Sequence, residues 1–202
     1  MTRIAIFASG SGSNAENIAN HFSNNTEVKI QLFLTNKPNA FVLERAKKLG
    51  INSLVFNKKQ FSETDEILGV LTENNIDLIV LAGFLLKIPE NLIKAYPSKI
   101  VNIHPALLPK FGGKGMYGDN VHKAVVHSKE KESGITIHYV NKNYDEGEII
   151  FQAKCPVLPS DSFEDVAQKI HGLEYEYFPK VIDALIHKKM SLNDIKNKSF
   201  LQ

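Results

Sequence analysis

Short apolar runs alternate with helical patterns along the first half of the chain. Runs of β-branched and other apolar residues predict strands at 3–8, 28–36, 52–56, 76–83 and 99–105. Apolar residues at helical spacing predict helices at 14–22, 40–50, 63–75 and 89–96. Strands and helices that alternate in this way are typical of an α/β fold with an open, mostly parallel, doubly wound sheet.

The pattern changes after residue 105. A helix is predicted at 119–128, followed by strands at 134–141 and 147–157 that are antiparallel because a short turn joins them. The segment 162–189 predicts one or two long helices, with a bend at Gly172 or Pro179 as an alternative to a single helix. We therefore expect one domain over 1–189, with halves at 1–100 and 101–189, and a C-terminal tail at 190–202.

The composition suits a globular protein that binds small molecules. The chain has 202 residues and is 43% hydrophobic, which provides an ample core, and its net charge of +2 is too mild to predict a nucleic-acid partner. Cys155 is the lone cysteine, which favours a reducing compartment. No apolar run reaches the roughly 18 residues of a membrane span, and the N-terminus does not resemble a signal peptide. We expect a cytoplasmic monomer or homodimer without a membrane partner.

The loop after the first predicted strand is rich in glycine and serine. Gly10, Gly12 and Ala15 fit the G-x-G-x-x-G/A spacing, which brings backbone N–H groups up to a phosphate at a helix N-terminus. NAD is disfavoured because the second predicted strand ends without an acidic residue for the ribose, although Lys37 leaves NADP open. A single phosphate fits better, held by Ser11, Gly12, Ser13 and Asn14. The alternative is that a side chain of this loop only caps the helix.

The strand predicted at 99–105 ends with two polar side chains on one face. Asn102 and His104 are two residues apart, so both point to the same side of an extended chain. Ligands bind outside the carboxyl ends of such strands, where the glycine loop also ends a strand, so we expect these segments to converge on one cleft. An imidazole suits proton transfer and an amide can donate to an oxygen that gains charge, unless both simply face solvent. Neither is a nucleophile, so the attacking group would belong to a substrate.

Asp145 lies in the turn before the last predicted strand. Either it supports the turn, or it pairs with His104, raises the pKa of the imidazole and fixes its orientation. His138 either lies in the same cleft or is a buried residue of its strand. His122 and His127 are five residues apart and do not share a helix face, so no metal site is predicted.

Six segments together resemble the folate-dependent formyltransferases, and among them the phosphoribosylglycinamide formyltransferases, or GAR transformylases. The segments are FASGSGSN, LTNKPNAFVLERA, DLIVLAGF, VNIHPALLPKF, GITIHYVN and DEGEIIFQ. The resemblance is collinear from about residue 3 to residue 186. The N-I-H-P block followed by the Asp145 loop is specific to the wider family, and the glycine loop points to the glycinamide ribonucleotide branch.

The resemblance implies a Rossmann-like formyltransferase fold and formyl transfer from 10-formyltetrahydrofolate to glycinamide ribonucleotide in purine biosynthesis. It implies no metal and no NAD(P). The implied catalytic residues are Asn102, protonated His104 and Asp145. The implied ribonucleotide-binding residues are Gly10, Ser11, Gly12, Ser13, Asn14 and Glu174. The implied folate-binding residues are Lys59, Leu85, Leu86, Lys87, Ile88, Asn102, Asn141 and Tyr144.

The chain departs from the family pattern in three places. Leu85 and Leu86 stand where many relatives have Met-Arg, Lys59 and Gln60 lie where relatives often have an arginine, and the loop 111–120 is unusually rich in glycine. These changes concern the folate pocket more than the chemistry. Two alternatives stay open, a sibling formyltransferase that acts on a sugar amine or on methionyl-tRNA, and a phosphate-ligand sensor without activity.

Overall fold

A computed structural model describes residues 1–187 of the 202-residue chain. The described residues group into two compact units, one from Met1 to Asn102 and one that begins at Ile103. The predicted tail at 190–202, and the last residues of the helix predicted at 162–189, lie outside the described residues. The assignment of 1–189 to a single domain stays a prediction.

The first unit contains a parallel sheet in which β4 is apolar throughout. Its strands are β1 (Thr2–Phe7), β2 (Val28–Thr35), β3 (Asn52–Val55), β4 (Leu78–Leu81) and β5 (Ile100–His104), which continues into the second unit. They pair in parallel in the order β3-β2-β1-β4-β5. All four residues of β4 are buried, as expected for a strand that is covered on both faces.

Helices connect these strands, and one of them was not predicted. They are α1 (Ser13–His21), α2 (Val42–Leu49), α3 (Lys58–Ser62), α4 (Glu66–Glu73) and α5 (Glu90–Ala95). The helix predicted at 63–75 is confirmed as the shorter α4, but the chain also forms the unpredicted helix α3 before it. The cause is a capping box, in which Asn57 Oδ1 accepts from Gln60 N at 2.9 Å and Gln60 Oε1 accepts from Asn57 N at 2.8 Å. This box starts a helix before the predicted one.

Four phenylalanines form an aromatic cluster beneath the ends of β1 and β4. They are Phe7, Phe56, Phe61 and Phe84, and each is buried. The ring centroids of Phe7 and Phe84 are 5.2 Å apart, and those of Phe61 and Phe84 are 5.3 Å apart, both edge to face. Edge-to-face pairs at this distance are favourable beyond the area they bury. The cluster therefore anchors the residues that leave β4.

The second unit contains two antiparallel strands and two helices. These are α6 (Asp119–His127), β6 (Glu132–Tyr139), β7 (Ile149–Pro156) and α7 (Phe163–His187). The antiparallel pairing of β6 with β7 is confirmed. The alternative of two helices after residue 162 is wrong, because α7 runs without interruption through Pro179. The helical turns around Pro179 are held by buried Phe178, Val181 and Ile182. Their packing offsets the N–H donor that the proline lacks.

The predicted fold class is confirmed. The strand order is β3-β2-β1-β4-β5-β6-β7, parallel at first with antiparallel strands toward the C-terminus, and helices flank the strands. Within residues 1–187, no helix combines the length and apolar character that a bilayer span requires.

Candidate active site

The glycine loop lies between β1 and α1, where Gly12 is the N-cap of the helix. Gly12 has φ +72°, and it offers no side chain to cap the first turn. A Cβ at this position would lie 2.5 Å from Val42 Cγ2, so only glycine allows α2 to pack this closely against the loop. The alternative that a side chain of this loop caps the helix is therefore wrong, because the N-cap is a glycine. This geometry leaves the start of α1 suited to an anion.

Arg45 of α2 contacts this loop, and no local sequence pattern predicts the contact. Its Nε donates to the carbonyl oxygen of Ser11 at 2.8 Å, and its guanidinium forms an ion pair with Glu16 of α1. The same guanidinium lies 5.1 Å from the ring centroid of Phe41. Arg45 therefore ties the loop to both helices. Because the contacts join residues far apart in sequence, only the fold reveals them.

Replacement of Arg45 by methionine should weaken the binding of a phosphate group at the start of α1. Methionine keeps most of the packing but removes the donor to the Ser11 carbonyl, so the loop loses a charge-assisted hydrogen bond. We expect the dissociation constant for inorganic phosphate, measured by titration calorimetry, to rise about 10-fold, as for the loss of one such bond. Lys47→Met on the exposed face of α2 is the matched control. An unchanged dissociation constant in Arg45→Met would refute this role.

His104 ends β5 and is almost completely buried, at 3% exposure. Its Nε2 lies 2.7 Å from the carbonyl oxygen of Phe111, and Nε2 is the donor because a carbonyl oxygen only accepts. Its Nδ1 lies 3.6 Å from Asp145 Oδ2. Asn102, two residues earlier in the same strand, is half-buried. The strand thus fixes the imidazole between a loop carbonyl and a carboxylate.

Asp145 lies between two imidazoles and one backbone donor. Its Oδ2 accepts from Gly113 N at 2.9 Å, and its Oδ1 lies 3.7 Å from His138 Nε2. His138 is buried in β6, and its Nδ1 donates to the carbonyl oxygen of Tyr139 at 2.8 Å. Of the two alternatives for His138, the structure therefore places it beside Asp145. Asp145 itself has φ +54°, a left-handed conformation that aspartate tolerates better than most residues.

The protonation of His104 differs from the form that the family resemblance implies. Burial acts to raise the pKa of Asp145, but the hydrogen bond with His138, the nearby His104 and the Gly113 N–H outweigh it and lower that pKa. Burial lowers the pKa of His104 by more than Asp145 raises it, so the net direction is downward. Asp145 therefore acts to raise the pKa of His104, as predicted, but burial leaves that pKa below its ordinary value, so the protonated His104 that the resemblance implies is not the favoured form. The resting site holds a carboxylate beside an imidazole that favours its neutral form.

A titration of the imidazole should show this directly. We expect the proton NMR signal of His104 to titrate below the ordinary histidine pKa of 6.5, because burial disfavours the charged ring. Asp145→Asn should lower the pKa further, since the carboxylate is the group that raises it. The folded state then binds protons less readily than the unfolded state, so the free energy of unfolding falls as pH drops from 6.5 through the folded pKa. A His104 pKa above 6.5 would contradict the assignment, and His104→Gln identifies the signal.

The remaining predicted residues lie in several loops and helices. Lys59 is exposed in α3, and Leu85 follows β4 with 39% exposure. Leu86 is half-buried beside it. Lys87 and Ile88 line a depression of about 590 Å³ together with Ser62, Glu63, Thr64, Asp65, Pro89, Glu90 and Asn91.

Two predicted folate residues lie in the loop that carries Asp145. Asn141 Nδ2 donates to the carbonyl oxygen of Glu146 at 3.1 Å, which braces the loop across its base. Tyr144 is 38% exposed and is next to Asp145 in the chain. Among residues 1–187, no group of three or more His, Cys, Asp or Glu side chains is placed to hold a metal ion.

Glu174 is buried in α7 and has a neighbour that the sequence analysis missed. Its Oε2 lies 3.2 Å from Nδ1 of His171, and this hydrogen bond raises the pKa of His171. The spacing of three residues on one helix is visible in the sequence and was available as a signal. His122 of α6 is buried, and burial together with the charge of His171 lowers its pKa. Glu174 therefore lies in a histidine-rich part of the second unit.

Comparison with known proteins identifies the family of this chain. Residues 2–182 match the Formyl transferase family. The phosphoribosylglycinamide formyltransferase of Haemophilus influenzae is 36% identical over 199 residues, which cover 96% of this chain and 92% of that protein. The chloroplastic phosphoribosylglycinamide formyltransferase of Arabidopsis thaliana is 39% identical over 93% of this chain, and the chain spans 66% of that protein's length. It spans 62% of the chloroplastic protein of the same name from Vigna unguiculata.

A solved structure supports the same assignment. The crystal structure of phosphoribosylglycinamide formyltransferase from Streptococcus pneumoniae TIGR4 matches with a TM-score of 0.81 at 37% identity, over 92% of this chain and 99% of that one. The full-length matches in sequence and structure carry the same family name. The chain therefore belongs to the phosphoribosylglycinamide formyltransferases, within the formyl transferase family.

Proposed function

We propose that this protein transfers the formyl group of 10-formyltetrahydrofolate to the amine of N1-(5-phosphoribosyl)glycinamide. The products are formylglycinamide ribonucleotide and tetrahydrofolate, in purine biosynthesis. The observation that carries the proposal is the buried pair of His104 and Asp145 at a strand end that also bears Asn102, in a chain of this family. A cytoplasmic location stays a prediction.

The reaction needs hydrogen-bond donors and proton transfer but no nucleophile from the protein. The substrate amine attacks the formyl carbon, a C–N bond forms, and the carbonyl electron pair moves onto oxygen. Collapse of this intermediate breaks the bond from the formyl carbon to the folate nitrogen. The attacking nitrogen loses one proton and the folate nitrogen gains one. Two positioned donors and one proton carrier therefore suffice.

His104 supplies a donor and carries the proton in this proposal. Its Nε2–H points at the carbonyl oxygen of Phe111, and the formyl oxygen takes over this bond as negative charge develops on it. Asn102 donates the second bond from its amide. Because the ring favours its neutral form, His104 accepts the proton of the attacking amine at Nδ1, where Asp145 stabilises the imidazolium. The imidazolium then protonates the folate nitrogen.

Each substrate has its own recognition segment in this proposal. The ribonucleotide phosphate binds at the start of α1, where the backbone amides after Gly12 and the side chains of Ser13 and Asn14 hold it. Glu174 accepts hydrogen bonds from the hydroxyl groups of the ribose. The depression lined by Lys87 and Ile88 holds part of the folate, with the lysine near its carboxylates. A volume of about 590 Å³ lies within the range of small-molecule sites.

A substrate panel separates the candidate functions. The purified protein is mixed with 10-formyltetrahydrofolate and either glycinamide ribonucleotide or an amino sugar nucleotide, and the folate absorbance is followed. We expect turnover with glycinamide ribonucleotide alone. Turnover only with the sugar amine would move the protein to the sibling class. Binding of both ligands by calorimetry without product over a long incubation would identify a sensor and refute the proposed transfer.

A further inference from the structure

The hydroxyl of Ser9 joins the ends of three neighbouring strands in the first unit. Ser9 follows β1 and is only 2% exposed. Its Oγ donates to Asn36 Oδ1, one residue beyond β2, at 2.7 Å. The same Oγ accepts from the backbone N–H of Leu85, beyond β4, at 3.1 Å. This buried hydroxyl therefore forms hydrogen bonds with two groups that lie just beyond the ends of β2 and β4, the Asn36 side-chain oxygen and the Leu85 N–H.

The N–H of Leu85 depends on this hydroxyl. The backbone ladder between β1 and β4 ends where Ser9 N donates to the carbonyl oxygen of Gly83 at 3.0 Å. Phe84 then enters the aromatic cluster and fixes the direction of the chain. Leu85 is the next donor, and Ser9 Oγ is its acceptor. The position at which residues 85–88 leave the sheet is therefore set by one side-chain oxygen.

Ser9 also lies directly before the glycine loop. Gly10 and Ser11 follow it directly, and the three residues line a depression of about 580 Å³ with Lys37, Pro38, Asn39, Ala40 and Phe41. Asn36, whose side-chain oxygen accepts the hydrogen bond from the Ser9 hydroxyl, directly precedes the lining residues 37–41. A rotation of the Ser9 side chain would move the start of the loop and the start of 85–88 together.

We propose that Ser9 is a positioning residue that holds the phosphate loop and the 85–88 segment in one fixed arrangement. Both substrates then depend on the same hydroxyl, although neither touches it. This inference rests on the function proposed above, which assigns the loop to the ribonucleotide and 85–88 to the folate. Loss of the hydroxyl leaves the Leu85 N–H and Asn36 Oδ1 without this partner, and both segments lose the contact that orients them.

The test compares four serine variants. We expect Ser9→Ala to raise the dissociation constants of both ligands about 10-fold, because this is the usual effect when a hydrogen-bonding group loses its partner. Ser9→Thr keeps the hydroxyl and should restore both affinities. Ser13→Ala removes a proposed phosphate contact of the loop alone, so it should weaken the binding of glycinamide ribonucleotide and leave that of tetrahydrofolate unchanged. Ser53→Ala, exposed in β3, is the control for general effects of a serine to alanine change.

Binding is measured by titration calorimetry, with tetrahydrofolate and glycinamide ribonucleotide as separate probes, on protein whose folded fraction is checked by circular dichroism. A merely structural serine would lower the melting temperature without changing the two dissociation constants of the folded protein. That result, or a loss of affinity for one ligand only, would overturn the inference. If the wild-type protein bound neither probe, the proposed function would be refuted. This outcome differs from the outcomes that overturn only the role of Ser9.

Discussion

Replacement of His104 by asparagine is expected to lower kcat by about 100- to 10,000-fold, the usual contribution of a general acid–base residue. The ring is the only titratable group of β5, and its two nitrogens face the Phe111 carbonyl oxygen and Asp145. Asparagine keeps an amide near the site but cannot carry a proton at neutral pH. The measurement is steady-state turnover with both substrates at saturation.

Asp145→Asn provides the paired variant for this test. Asparagine tolerates the left-handed backbone of this position, at φ +54°, so the loop should keep its conformation. We expect a loss of kcat in the same range, because the carboxylate that stabilises the imidazolium is gone. His127→Asn, at the exposed end of α6, is the matched control. Near-normal turnover in both His104→Asn and Asp145→Asn, with folding intact, would end the catalytic role assigned here.

Gly12→Ala is expected to lower the free energy of unfolding by about 3 kcal/mol, from the cost of a left-handed alanine plus overpacking. The new Cβ would lie 2.5 Å from Val42 Cγ2 and 2.9 Å from Val42 Cα, so α2 must shift or the loop must move. The KM for glycinamide ribonucleotide should rise strongly as well, since the loop amides lose their alignment. Urea denaturation and steady-state kinetics measure the two effects.

Two further variants separate crowding from other causes. Gly69→Ala in α4 has open space around its Cβ and an ordinary helical backbone, so it should be neutral or slightly stabilising. Gly12→Ala combined with Val42→Ala removes only the contact with Val42 Cγ2, because alanine keeps a Cβ at 2.6 Å, so the double variant should lose less stability than the sum of the two single variants. If Gly12→Ala proved as stable as the wild type, the close approach of α2 to the loop would be disproved.

The order of elements could be predicted because it depends on local patterns. Buried strands such as β4 give continuous apolar runs, and the short turn around Asp145 requires antiparallel strands. Helix α3 was not predicted, even though Asn57 and Gln60 have the spacing of a capping box. Its five residues are too few to show an apolar periodicity, so the cap is its main local signal.

The parts that could not be predicted depend on the three-dimensional environment. Arg45 contacts the Ser11 carbonyl from a different helix, and no local pattern identifies such a contact. Asp145 does act to raise the pKa of His104, as expected, but burial acts against it and is larger. Burial is a property of the packed chain, so its balance against a neighbouring charge cannot be read from spacing.

The central claim, that formyl transfer occurs between these two substrates on this protein, can be observed directly by carbon NMR. The protein is mixed with 10-formyltetrahydrofolate that carries ¹³C in its formyl group, together with glycinamide ribonucleotide. We predict that the formyl signal moves to the amide of formylglycinamide ribonucleotide as tetrahydrofolate appears in equal amount, and that His104→Asn slows this conversion by at least about 100-fold. A formyl signal that stays on the folate, or that appears as free formate, would contradict the proposed function.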